Sequence, residues 1–155
     1  MKTIAIIQAR LSSKRLPKKV LKDFWGKPML ITQLERVKKT KGVDLVLVAT
    51  SNEPSDDEIE ATCHAHGYSV FRGSIDDVLE RFYKAALFGV KKTGASTEHL
   101  KLIRLTGDCP LVDPNLIERS IELLTSDVDY VGYDSQFPDG LDIESFWFHT
   151  LEKAQ

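Results

Sequence analysis

Cysteine is scarce in this chain: Cys63 and Cys109 are its two thiols, and they lie far apart. Such a pair gives no disulfide framework, so an apolar core must hold the fold. Long apolar runs are lacking too. None approaches the ~20 residues that a membrane-spanning helix needs, so no membrane association is expected. Met1-Lys2-Thr3 leads straight into strand-like sequence, without the apolar segment of a secretory signal, and a cytoplasmic location is the expectation. Net charge is small: 21 basic against 23 acidic residues leave −2, which excludes a general attraction for nucleic acid. With no internal repeat, low-complexity tract or linker, residues 1–155 are expected to form one domain around one core.

Against that near-neutral background one stretch stands out. Ile4 to Ile7 is a short apolar run suited to one buried strand. It gives way to Arg10, Lys14, Arg15, Lys18, Lys19 and Lys22, with no acid until Asp23. Ligands of α/β sheets sit beyond the carboxyl ends of the strands. A basic loop delivered there suggests a site for a polyanion. Ser12 and Ser13 add hydroxyl donors, and Pro17 limits the loop's freedom. The competing reading is a solvated basic loop. The mixing of the cations with Ser rather than Glu, directly after a strand, favours the anion site.

Further strand-like segments fall at 43–50, 68–71, 102–106 and 129–133, with helical patterns between them. Ser55 and Glu58 have the spacing of a capping box, and Ser74 with Asp77 has that of another helix start. Ile75, Val78, Leu79, Phe82, Ala86 and Val90 form one apolar stripe. Residues 137–144 are expected as a turn and mixed segment, and 146–154 as a helix. Strands alternating with helices of this length mean an α/β chain with a mostly parallel sheet.

Several polar residues are then candidates for chemistry. Asp108 sits between Gly107 and Cys109-Pro110, in a tight turn after a buried strand. It either joins substrate phosphates in holding a hard cation such as Mg2+ or bonds turn amides. Arg72 and the Gly73-Ser74 turn can donate to a base edge, although Ser74 and Asp77 serve equally well as helix caps. Asp142 and Glu144, two apart in an extended segment, face the same side and are acceptors for sugar hydroxyls or metal. Thr50, Ser51 and Asn52 end a strand at the ligand edge. Cys63, His64 and His66 lack a partner ligand pair, which argues against zinc. Cys109 has no histidine near it in sequence and is expected as a small buried residue.

Ala9-Arg10-Leu11-Ser12-Ser13-Lys14-Arg15-Leu16-Pro17-Lys18-Lys19 resembles the opening motif of the cytidylyltransferases that make CMP-sugars. These are the CMP-acylneuraminate and CMP-KDO synthetases and, most similar here, the spore-coat polysaccharide biosynthesis proteins. Leu105 to Leu111, Arg72-Gly73-Ser74 with Asp76-Asp77, and Pro138 to Glu144 resemble later segments of the family, so the likeness covers nearly the whole chain.

The resemblance implies a three-layer αβα fold with a mostly parallel, Rossmann-like sheet of the nucleotide-diphospho-sugar transferase type. It implies transfer of CMP from CTP to a sugar, an acidic one, with release of pyrophosphate, for surface or spore-coat polysaccharide. Arg10, Lys14, Arg15 and Asp108 would be catalytic, with Mg2+ on Asp108. Ala9, Ser12, Ser13 and Lys19 would hold the triphosphate, and Arg72, Ser74 and Asp77 the cytidine. Asp142 and Glu144 would engage the acceptor. The implied partners are CTP, the sugar acceptor and a second copy in a homodimer. Members of the family are longer, and their later part supplies dimer contacts and part of the sugar pocket. Two other classes remain: a nucleotide-binding domain without catalysis, and a glycosyltransferase that uses a nucleotide-sugar. A basic loop directly after the first strand suits a whole triphosphate and so argues against the second.

Overall fold

An apolar run such as Ile4-Ala5-Ile6-Ile7 is stable as a strand only when both its faces are covered. The computed structural model, which describes residues 1–12, 16–133 and 138–155, makes it the middle of a sheet. The strands are β1 (Lys2–Gln8), β2 (Leu45–Ser51), β3 (Ser69–Gly73), β4 (Leu100–Thr106), β5 (Tyr130–Gly132) and β6 (Ile143–Trp147). They form one six-stranded sheet in the order β3-β2-β1-β4-β6-β5. β1 pairs in parallel with β2 and β4, and β2 with β3, whereas β6 runs antiparallel to both β4 and β5.

Among the described residues, five α-helices cover the two faces: α1 (Met29–Lys38), α2 (Asp57–Ala65), α3 (Val78–Thr93), α4 (Pro114–Leu123) and α5 (Phe148–Ala154). Alternate residues of a strand point to opposite faces. Ala5, Ile7, Val48 and Leu105 therefore pack with Leu30 and Leu34 of α1, Ile59 of α2 and Ile117 of α4. Ile4, Ile6, Leu47 and Leu102 pack with Phe82 and Ala86 of α3 and Leu151 of α5. The result is the three-layer αβα, mostly parallel architecture that the sequence implies.

Four local expectations are corrected. The segment expected as a turn and the start of a helix holds β6, and α5 begins only at Phe148. Ile143-Glu144-Ser145-Phe146-Trp147 is β-branched and aromatic in part, and pairing with β4 fixes it as a strand. Second, Ser55 caps nothing: a 3-10 turn at Pro54–Asp56 precedes α2, and the Asp56 side chain turns inward. Third, the N-cap of α3 is Asp77, whose carboxylate accepts from the Glu80 amide at 2.8 Å, and the Ser74 hydroxyl accepts from the Asp77 amide. Fourth, the inward stripe of α3 is rotated. Val78 and Leu79 are 42% and 39% exposed, while Arg81, Phe82, Ala85, Ala86 and Gly89 are buried. Close approach explains the rotation, because a Cβ on Gly89 would lie 2.9 Å from Ile4 Cδ1.

Candidate active site

β1 and β4 are neighbours in register, with Gln8 opposite Thr106. The Gly107 amide donates to the Gln8 carbonyl at 2.8 Å, which carries the ladder one step past β4. A side chain at 107 would not fit, since its Cβ would lie 2.9 Å from Ala9 Cβ and 3.0 Å from the Gln8 carbonyl oxygen. The loop after β1 and the Gly107-Asp108 turn after β4 thus leave the sheet side by side. Between them opens a cavity of about 720 Å³. Ala9, Arg10, Ser12 and Lys19 line it from the loop, Asp108 from the turn and Arg81 from α3.

The loop is pinned at both ends. Leu11 and Val20 are buried in the core, and the Leu11 carbonyl accepts from the Lys18 amide at 3.3 Å. Asp56 is buried at 1% exposure. Its carboxylate accepts four hydrogen bonds, from the Leu11 amide, the Thr50 hydroxyl, and the Ser51 amide and hydroxyl. A buried carboxylate is tolerated when it is saturated in this way. Thr50 and Ser51, placed by the sequence at the ligand edge, therefore point into this network. Lys14, Arg15 and Ser13 lie outside the described residues.

Lys19 Nζ sits 2.6 Å from Asp108 Oδ2. That contact pulls the Asp108 carboxyl below the usual carboxylate range, against the upward push of partial burial. Asp108 is thus an ionised, half-exposed carboxylate facing a cation. Cys109 beside it is buried, and burial raises its thiol. Its sulfur lies 3.9 Å from Asp108 Oδ1 and 3.8 Å from Asp142 Oδ2. Among the described residues no group of three or more His, Cys, Asp or Glu is placed to hold a metal. One or two carboxylates completed by substrate phosphates is the donor set of Mg2+, and Asp108 fits it.

Glu144 is directed elsewhere. It pairs with Arg104 and accepts from the Tyr130 hydroxyl at 2.9 Å. Burial, and next Glu144, push that hydroxyl up to about 12. These residues floor a second cavity of about 390 Å³, which shares Gln8 and Val78 with the first. Arg72 and Ser74 lie outside the first cavity, in a cleft with Asn52. Every nitrogen of the Arg72 guanidinium is engaged, by Asp57, Glu60 and the carbonyls of Ser51 and Glu53. The structure thus brings together Ala9, Arg10, Ser12, Lys19 and Asp108. It does not bring Arg72, Ser74, Asp77 or Glu144 into their cavity, and among the described residues Asp142 approaches through Cys109.

Gln8 and Arg81 are lining residues that the sequence did not single out. Gln8 ends an apparently apolar strand. Arg81 lies on the inward face of α3, and a cation directly before a buried Phe82 was the available signal.

Comparison with known proteins agrees with this geometry. The cytidylyltransferase family model matches residues 4–141. An uncharacterised protein of Methanocaldococcus jannaschii is 43% identical over 155 residues, covering 99% of this chain and 60% of its own length. The spore coat polysaccharide biosynthesis protein SpsF of Bacillus subtilis is 41% identical over 121 residues, 76% of this chain and 47% of its own length. The chain thus spans roughly half the length of these curated relatives. A solved cytidylyltransferase from Leptospira borgpetersenii superposes with a TM-score of 0.86 at 35% identity, over 99% of this chain and 63% of that one. A match that runs from within β1 to the approach to β6, across the loop and the turn that frame the cavity, makes this chain a member of the cytidylyltransferase family.

Proposed function

We propose that the chain transfers CMP from CTP to a sugar, an acidic one, with release of pyrophosphate. The observation that carries this reading is the meeting of Arg10, Lys19 and Asp108 in one cavity beyond β1 and β4, in a cytidylyltransferase chain. The acceptor oxygen bonds to the α-phosphorus while the bond to the bridging oxygen of the β-phosphate breaks. Pyrophosphate leaves with that electron pair, and the acceptor proton passes to solvent.

Such a transfer depends on positioning and charge neutralisation more than on covalent chemistry. Arg10 and Lys19, with Lys14 and Arg15 of the same loop, take the charge of the triphosphate. Ala9, Ser12 and Ser13 add backbone and hydroxyl donors. Asp108 would hold Mg2+, in place of its contact with Lys19. When bound, that ion supplies charge neutralisation on the phosphates and lowers the pKa of the acceptor hydroxyl. The turn at 72–77 is the proposed wall for cytidine; Arg72, Ser74 and Asp77 shape it, because their side chains are spent within the protein. Asp142 and Glu144 are proposed for the acceptor. A role in surface or spore-coat polysaccharide draws support from the likeness to SpsF, and a homodimer from the family resemblance alone.

The test is pyrophosphate release from CTP and Mg2+ across a panel of acidic sugars. Asp108→Asn is expected to lower the rate by about 100-fold or more. Full activity in that variant would contradict the assignment.

A further inference from the structure

Arg81 is a buried charge at this cavity with a donor left unpaired among the described residues. Its side chain is 6% exposed and lines the same cavity as Arg10 and Lys19. Nη1 donates to the carbonyls of Ser74 and Ile75. Nε is buried and without a hydrogen-bond partner among the described residues. Asp56 and Asp77 attract the guanidinium at longer range, yet both are already engaged, Asp56 by the loop network and Asp77 by the Glu80 amide. Burial, and next the like charge of Arg10, disfavour its protonated form. A buried guanidinium with an unpaired N–H and counter-charges only at longer range is costly.

Gln8 repeats the pattern from the sheet. Its Oε1 accepts from Arg104 Nε at 2.7 Å, while its Nε2 is buried without a partner among the described residues. It lines the same cavity. Two residues of different elements thus line one space, and each carries a buried donor without an acceptor among the described residues. A ligand rich in anionic oxygens offers acceptors to both side chains as they turn towards it; an apolar or cationic one offers none.

A structural clamp on the 74–75 carbonyls accounts for Nη1 but leaves Nε and the charge unexplained. A planar guanidinium suits phosphate oxygens, which it meets with parallel N–H donors. We propose that Arg81 is a phosphate-binding residue of the nucleotide site, carried on the rigid helix α3 and adding to the loop cations, with Gln8 as an accessory donor. This rests on reading the cavity as a triphosphate site.

The experiment is calorimetric titration of CTP, inorganic tripolyphosphate and cytidine into the wild-type chain and Arg81→Gln, which keeps a donor for the carbonyls and removes the charge. R81Q is expected to weaken CTP and tripolyphosphate alike by about tenfold or more, to leave cytidine unchanged, and to bind tripolyphosphate with a shallower salt dependence. R81K should recover part of the loss. Equal tripolyphosphate affinity in R81Q and wild type, with only thermal stability lowered, overturns the proposal in favour of the clamp. A loss confined to cytidine overturns it in favour of a base contact. Should R81Q fail to fold, NMR of the wild-type chain decides: the Arg81 Nε–H signal shifts with tripolyphosphate, and an unmoved signal overturns the proposal. Binding of tripolyphosphate but not CTP by the wild type would sink the cytidylyl reading and leave Arg81 in place; binding of neither would sink both.

Discussion

Asp56 decides whether the basic loop is a fixed site or a loose charged segment. One of its oxygens holds the Leu11 amide at 2.8 Å, and the other holds Thr50 and Ser51. Both oxygens accept, so an amide in its place must point an N–H group at a donor. Asp56→Asn is therefore expected to cost about 1–3 kcal/mol of stability. It should also weaken CTP binding, because Leu11 anchors the segment between Arg10 and Lys19. Denaturant unfolding and CTP titration check the two effects separately, and unchanged CTP affinity would contradict the positioning role. Residues of the loop and of the Gly107-Asp108 turn were legible in the sequence because each follows an apolar strand. Their pairing, Lys19 on Asp108, was not, since it joins positions far apart in the chain. Asp56 and Arg81 were hidden for another reason. Both are charged residues that the fold buries, and hydropathy patterns place such residues outside.

Elements set the spacing that these residues need. The close pairing of the β1 and β4 ends depends on Gly107, where a Cβ would press on Ala9 and the Gln8 backbone. Backbone on that side cannot yield as a flexible side chain would. Gly107→Ala is expected to destabilise by about 1–3 kcal/mol and to displace Asp108 with it. Thermal unfolding and CTP titration in Mg2+ would show both losses, whereas a variant with native stability and affinity would mean that the strand ends are not held so tightly. The parallel strands and their helices were readable because each βα unit repeats the same pattern. β6 was not, because it runs back against β4 without a preceding crossover helix and breaks that rhythm. The face of α3 was misjudged because its closest contact with the sheet is made by Gly89 and two alanines rather than by its largest side chains.

At the scale of the whole molecule, a net charge of −2 conceals a strong local imbalance. Arg10, Lys19 and Arg81 converge at one end of the sheet, against one carboxylate among the described lining residues, that of Asp108. That arrangement suits a polyphosphate with a divalent ion better than a nucleic acid, which would need a broad basic face. The proposed preference for cytosine rests on family membership, because no side chain among the described residues lining the cavity selects a base by its own geometry. Calorimetric titration of CTP, ATP, GTP and UTP in Mg2+ is the measurement that tests this most directly. Selective binding of CTP is the predicted result. Binding of none of the four, or binding of ATP, GTP or UTP as tight as that of CTP, would contradict it.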